Sequence, residues 1–231
     1  SIPPSAAKRT CRRRWEMRCP VCRRNAKPVP TDEEKPLRPT SVYAVTKRDQ
    51  EELCLSVGIA YKIPTVALRY FNVYGPRQAL SNPYTGVCAI FSSRILNGKP
   101  PVIWEDGEQK RDFVHVRDIA QANLLALEKQ EADYQVFNVG TGEGVSIGTV
   151  AKKIAERLGM PFKAEYPRKF RAGDIRHCFA DISKIKRMLG YSPSVFFDKG
   201  VDILIEWAQE QKCEDKMEQA MKELRSKGLA S

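Results

Sequence analysis

Tyr43-Ala44-Val45-Thr46-Lys47 sets a phenol and an ammonium four residues apart, in a segment whose apolar spacing predicts a helix over 41–61. Residues at i and i+4 lie one above the other on one helix face, so the two groups meet. A lysine there favours tyrosinate through its charge and hydrogen bonds, and a phenol of lowered pKa is a usable general base near neutral pH. Read alone, the pentapeptide better describes a packed tyrosine beside a solvated lysine. The residues that follow reverse that reading.

Thr65-Val66-Ala67-Leu68-Arg69-Tyr70-Phe71 is short, apolar and partly β-branched, and it runs into Tyr74-Gly75-Pro76. This is the pattern of a buried strand entering a loop. Beyond it the sequence predicts a helix over 87–96, stopped by Asn97-Gly98, and strands over 101–104 and 112–116. Asp118 is the expected N-cap of a helix over 119–129. A strand over 135–139 precedes a helix over 147–158, capped by Ser146 and closed by Gly159. A strand at 162–166, helices at 182–189 and 201–211, and an exposed charged helix over 214–229 complete the reading. Alternating strands and helices indicate an α/β protein. The glycines of Val139-Gly140-Thr141-Gly142-Glu143-Gly144 are spaced Gly-x-Gly-x-Gly and read as a tight turn, since the dinucleotide fingerprint is Gly-x-Gly-x-x-Gly.

With 231 residues and 42% hydrophobic content, the chain can bury one large core or two small ones. No stretch approaches the roughly 20 apolar residues of a membrane helix. The polar, arginine-rich start lacks the apolar centre of a secretory signal, so a cytoplasmic location is expected. Seven scattered cysteines fit reduced thiols better than a disulfide framework. Most of the net charge of +11 sits in residues 1–30, where nine Lys/Arg face only Glu16. A nucleic-acid-binding module is therefore the reading from another class; it rests on residues 8–24, with Trp15 offering a surface for base stacking. Cys19-Pro20-Val21-Cys22 is half a zinc site that needs two further ligands; Cys11 is the one other cysteine nearby, and no metal site is assigned.

Five stretches carry a resemblance: Pro39-Thr40-Ser41-Val42-Tyr43-Ala44-Val45-Thr46-Lys47, Leu68-Arg69-Tyr70-Phe71-Asn72-Val73-Tyr74-Gly75-Pro76-Arg77, the run from Glu105-Asp106-Gly107 through Arg111-Asp112-Phe113-Val114-His115-Val116-Arg117-Asp118, Phe137-Asn138-Val139-Gly140-Thr141-Gly142, and Arg171-Ala172-Gly173-Asp174. In this order the chain resembles the extended short-chain dehydrogenase/reductase family, specifically its NAD-dependent nucleotide-sugar epimerases and dehydratases. Within it, the UDP-glucose and dTDP-L-rhamnose 4-epimerase branch is the most similar.

The resemblance implies the C-terminal part of a Rossmann-type doubly wound parallel sheet plus a smaller α/β substrate-binding domain. Residues 1–38 would be a basic arm and 39–78 the remnant of an NAD-binding domain. Residues 79–231 would form the substrate-binding part, with 112–140 returning to the Rossmann sheet. It also implies roles. Tyr43 is the catalytic base and acid on the C4 hydroxyl, and Lys47 assists it while holding the nicotinamide ribose. Tyr70 approaches the NAD cofactor, and Asn72 and Asp174 contact the substrate. Arg111 and Arg171 grip the pyrophosphate of a nucleotide-diphosphate sugar, to which guanidinium forks are suited. Hydride leaves C4, the 4-keto sugar turns over, and hydride returns to its other face. The implied assembly is a homodimer built through the helix of Tyr43.

A 4,6-dehydratase or decarboxylase is the other activity in the family, but the acidic pair Asp32-Glu33 reads as a surface turn. The family's glycine-rich strand–turn–helix has no counterpart before Tyr43, and the serine or threonine partner of the tyrosine is not identifiable; Ser1 and Ser5 are near only in sequence. The chain alone is accordingly expected to be a fragment that binds NAD poorly and has little or no activity.

Overall fold

The computed structural model describes residues 15–82, 85–167 and 174–216, together with 218, 222 and 226. In chain order the elements are α1 (Val42–Tyr61), β1 (Ala67–Tyr70), β2 (Asn72–Tyr74), α2 (Val87–Leu96), β3 (Lys110–Arg111), β4 (Phe113–His115) and α3 (Val116–Glu128). After a 3₁₀ turn at Gln130–Ala132 come β5 (Val136–Val139), β6 (Val145–Ser146), α4 (Ile147–Arg157), β7 (His177–Cys178), α5 (Ser183–Leu189) and α6 (Phe197–Gln209).

Ser41 starts α1 by accepting the Ala44 N–H at 3.1 Å, and Lys62 ends it in the left-handed region at φ 56°. Gly58 does not interrupt the helix. A Cβ there would stand 2.2 Å from Thr65 Oγ1 and 3.0 Å from the Ile63 carbonyl, so the bare glycine lets the helix end close onto the chain entering β1. Nearer the start of α1, Glu51 accepts from Arg69 Nε and Nη2 at 2.7 and 2.6 Å. Helix and strand therefore run antiparallel, and the first turns of α1 project toward the carboxyl end of β1.

β1 pairs in parallel with β5, Ala67 against Val136 through Tyr70 against Val139. β2 pairs in parallel with β4, Asn72 against Phe113. A third ribbon places β3 between β6, antiparallel, and β7, parallel. One core joins the sheet to α3 and α5 through Val114, Phe137, Val139, Ile185 and Leu189. The other lies among α2, α4 and α6, with Phe91, Phe113, Ile154 and Leu204 at its centre. α4 begins as expected, with Ser146 Oγ accepting the Thr149 N–H at 3.2 Å.

Several boundaries differ from expectation. α3 begins at Val116, and its cap is His115, whose Nδ1 accepts the Arg117 N–H at 3.3 Å. Asp118 lies inside the first turn, buried, and accepts from Ser194 N, Ser194 Oγ and Val195 N at 2.9, 2.7 and 3.1 Å. The demand of the loop before α6 overrode its local use as a cap. The strands expected at 101–104 and 162–166 reduce to one parallel bridge, Val102 to Glu165. Pro100 and Pro101 have no N–H to extend a ladder. α6 starts at Phe197 and not at 201. Of the helix expected over 214–229, residues 214–216 are in no regular element, while the described residues 218, 222 and 226 are helical as expected. Asp215 there is buried against Arg94 at 3.2 Å and Lys99 at 3.1 Å; much of the remainder lies outside the described residues.

The basic arm, where described, is laced onto the body. Thr31 donates to the Phe179 carbonyl and accepts from the Asp181 N–H, both at 2.8 Å. Glu33 accepts the Asn138 N–H at 2.8 Å, and its own carbonyl accepts from Arg69 Nη1 at 3.0 Å. Trp15 is buried, which removes it as a platform for base stacking. Among the described residues no helix is long and apolar enough to cross a membrane.

Candidate active site

Tyr43 and Lys47 stand on the first two turns of α1. Tyr43 is 70% exposed, and Lys47 Nζ lies 5.7 Å from the centre of its ring, within cation–π range. The ammonium also donates to Gln50 Oε1 at 3.2 Å. Counting back from the Glu51–Arg69 contact at about 1.5 Å per residue, Lys47 lies roughly 6 Å and Tyr43 roughly 12 Å further along the helix. Both are thus carried beyond Tyr70, the last residue of β1, to the carboxyl ends of the parallel strands. That edge is where open α/β sheets receive their ligands. Tyr70 is half exposed there and donates from its hydroxyl to Asn123 Oδ1 at 2.9 Å, so it is not a core aromatic.

Asn72 opens β2, and its N–H donates to the Asp112 carbonyl at 2.9 Å, which brings it beside the end of β3. Arg111 ends β3. Its guanidinium donates to the carbonyls of Lys110 at 2.8 Å, Arg176 at 3.1 Å and Ile175 at 2.5 Å. Those bonds fix the fork against the segment that follows Asp174, so Arg111 and Asp174 belong to one locale. Arg171, the other expected phosphate ligand, lies outside the described residues.

Between Arg111 and β4 sits a residue whose role the sequence did not reveal. Asp112 is fully buried. It accepts from Thr141 N, Thr141 Oγ1, Gly142 N and Ala180 N at 2.8, 2.7, 2.9 and 3.1 Å. One carboxylate thereby fastens the turn after β5 and the chain after β7 to the base of the Arg111 loop. Gly140 makes room for it: a Cβ would stand 2.5 Å from Asp112 Oδ2 and 2.8 Å from Ala180 Cβ. Gly140→Ala is expected to cost about 1–3 kcal/mol, read as a lowered midpoint in urea at unchanged slope.

Arg176 is the second residue missed. Its side chain is only 4% exposed. Nε and Nη2 donate to Glu16 Oε1 at 3.0 and 2.6 Å, Nη1 donates to Glu105 Oε2 at 2.9 Å, and Nη1 and Nη2 meet Asp106 at 2.6 and 2.9 Å. Next to it, His177 Nδ1 accepts the Lys110 N–H at 3.3 Å, which leaves Nε2 to donate to Glu16 Oε2 at 3.0 Å. Burial pulls the Asp106 and Glu16 carboxyls upward, but Arg176, and for Glu16 also His177, outweighs it and holds both below the usual carboxylate range. The segment that orients Arg111 is itself held by this cluster. Charge alone could have flagged Glu105-Asp106 and Arg176, but no spacing rule joins them.

Compared with known protein families, residues 23–140 match the model of the NAD dependent epimerase/dehydratase family. The chain belongs to that family. Among its epimerase/dehydratase relatives, a dTDP-L-rhamnose 4-epimerase of Burkholderia thailandensis is 37% identical over 80% of this chain and 50% of the relative. A putative UDP-glucose 4-epimerase of Methanocaldococcus jannaschii is 35% identical over 78% of this chain and 57% of its own length. Among solved structures, the UDP-glucose 4-epimerase of Thermotoga maritima with UDP-glucose superposes with a TM-score of 0.73 at 38% identity, over 80% of this chain and 59% of that one. The UDP-glucuronic acid 4-epimerase of Bacillus cereus, with UDP-glucuronic acid and NAD, gives 0.72 at 31% identity, over 80% and 58%. The chain spans about half the length of the curated relatives it matches. Its α/β fold with parallel strand pairs is that of the family's Rossmann-type epimerases.

Proposed function

We propose that this chain carries the catalytic pair and the substrate-gripping half of an NAD-dependent nucleotide-sugar 4-epimerase. The observation that carries the reading is the exposure of Tyr43 and Lys47 together at the carboxyl ends of the parallel strands, on a chain of the epimerase/dehydratase family. The residues present fit the nicotinamide ribose of NAD. Tyr43 Oη has no partner among the described residues, Lys47 adds an ammonium on the same helix face, and Tyr70 stands at the adjoining strand end. NAD supplies the acceptor and donor of the C4 hydride.

Tyr43, as tyrosinate, takes the proton of the C4 hydroxyl and later returns it, with Lys47 stabilising the anion through its charge. Arg111, oriented by three carbonyls, takes the diphosphate, and Arg171, Asn72 and Asp174 complete the grip on the nucleotide sugar. Binding energy from the nucleotide keeps the keto intermediate in place while the sugar turns. A homodimer formed through α1 is part of the proposal. It is supported by the exposed Val42, Leu53 and Ile59 on that helix; a cytoplasmic setting is supported by the free thiols.

The test has two parts. In calorimetry, UDP-glucose and UDP are expected to bind while free glucose does not, and Arg111→Lys is expected to weaken UDP about tenfold by loss of the bidentate fork. With excess NAD in D2O, any product formed over long incubation is expected to be the C4 epimer with its C4 hydrogen retained. Tyr43→Phe is expected to remove that turnover and leave binding intact. Deuterium in the sugar with loss of water, or loss of carbon dioxide, would assign the chain to dehydration or decarboxylation instead. Failure of every nucleotide sugar to bind would overturn the reading.

A further inference from the structure

Lys110 is bonded at both ends of its backbone. Its N–H donates to His177 Nδ1 at 3.3 Å, and its carbonyl accepts from Arg111 Nη1 at 2.8 Å. The same guanidinium donates to the Arg176 and Ile175 carbonyls at 3.1 and 2.5 Å, on the two residues that lead into His177. β3 and β7 run in parallel here, with Lys110 against His177 and Arg111 against Cys178. The bonds therefore form a closed circuit. It runs from the His177 ring through Lys110 to Arg111, and back along residues 175–177 to the imidazole. The far side of the ring is fixed too, because Nε2 meets Glu16 Oε2 at 3.0 Å while Glu16 Oε1 holds Arg176.

Only one protonation state closes this circuit. A backbone N–H pointing at Nδ1 requires a lone pair there, so the ring is neutral and its proton sits on Nε2, where Glu16 accepts it. A second proton would set an N–H against the Lys110 N–H and release that end of the peptide. Glu16, on the arm, favours the second proton. Arg176 on the same strand and Lys110, opposite in register on β3, oppose it, and Glu105 and Asp106 offset the charge of Arg176. Simple packing would account for a side chain that is 14% exposed, but not for both ring nitrogens being committed to protein partners.

We infer that His177 is a positioning residue for Arg111, and that it holds the guanidinium in place only while its ring is neutral. Protonation of His177 loosens the Lys110 peptide, frees Arg111 from the carbonyl that this peptide presents, and weakens the hold on a diphosphate. The last step rests on the role proposed above for Arg111; the ordering of its guanidinium does not.

The test separates the two ring nitrogens. An asparagine amide reaches the position of Nδ1, and a glutamine amide that of Nε2. In His177→Asn the Lys110 N–H keeps an acceptor and Glu16 loses its partner; in His177→Gln the reverse holds. The readout is the heteronuclear NOE of the Arg111 Nε–H, assigned by its absence in Arg111→Lys. It is expected to stay high in His177→Asn and to fall in His177→Gln, although the asparagine variant is the one that loses the bond to the arm. In the wild-type chain the same NOE is expected to fall as pH is lowered through the titration of His177. That titration is followed at the ring's own Cε1–H, told apart by through-bond assignment from His115, the other histidine of the chain. The fall should be missing in His177→Asn. For UDP, His177→Gln is expected to weaken binding about fivefold, the loss of one neutral hydrogen bond, and to add nothing to Arg111→Lys. An Arg111 signal that stays ordered in His177→Gln, or through the wild-type titration of His177, would overturn the inference. The wild-type titration needs no variant, so it decides the matter even if a substitution prevents folding. Loss of order at Arg111 with UDP affinity unchanged would uphold the positioning and count against the diphosphate role of Arg111 instead.

Discussion

Arg176→Met is expected to lower the free energy of unfolding by about 3–5 kcal/mol, the usual cost of removing one partner from a buried ion cluster. The guanidinium is 4% exposed, and so is its partner Glu105; Asp106 is 22% exposed. Without Arg176 these carboxylates lose the guanidinium that offsets their burial, and keeping the charge or taking up protons both cost stability. Glu16, about a third exposed, contributes least, because solvent screens it.

The pH dependence separates this mechanism from simple loss of packing. Asp106 and Glu16 have folded-state pKa values below their unfolded ones. Their contribution is therefore fully present above the unfolded values, about 4, and is lost as pH falls through the lower folded values. The stability gap between wild type and Arg176→Met, measured by urea unfolding, is expected to narrow as pH drops below about 4. A gap unchanged with pH would show that the charges are not responsible. His115 adds an earlier phase common to both proteins. Burial, reinforced by the charge of Arg117 and opposed by Asp118, lowers its pKa. Below about 6.5 the unfolded chain then binds the extra proton and stability falls.

Asp112→Ala is expected to cost about 4 kcal/mol, from orphaned buried donors at about 1–3 kcal/mol each with partial relaxation. Thr141 N, Gly142 N and Ala180 N lose their common acceptor, and the Thr141 hydroxyl loses its partner. Asp112→Asn, which keeps shape and one acceptor oxygen but turns an amide N–H2 toward a backbone donor, is expected to cost about 2–3 kcal/mol. Because Arg111 is adjacent, UDP affinity of the folded variants should fall as well. Asp112→Ala with wild-type stability would mean that water or a neighbouring group satisfies these donors, and the account of the loop would fail.

What could be read from the sequence was what short spacing encodes. The Tyr43–Lys47 helix, the apolar run into Tyr70 and the Ser146 cap depend on residues within a few positions of one another, and all three stand where the pattern places them. Asp118 has the local pattern of an N-cap, but the loop at Ser194–Val195 arrives from 76 residues away and takes the carboxylate. The arm reads as detached because its own segment has no apolar periodicity. Its anchors at Phe179, Asn138 and Arg176 come from distant parts of the chain. Arg176 itself is one more basic residue in a basic protein until Glu105 and Asp106 are folded against it.

The bond from Arg176 to Glu16 joins residues 160 apart in sequence. Ordering so long a loop is an entropic cost that falls due only when its ends meet, so contacts of this separation tend to assemble last. The arm is then the final piece to settle, after the parallel strands and their helices have formed. Its contacts would be nearly absent from the folding transition state, so loosening them by Arg176→Met should speed unfolding while leaving the refolding rate almost untouched. The loop of Arg111 would accordingly gain its final shape in the last step of folding, when Glu16 comes to rest against Arg176.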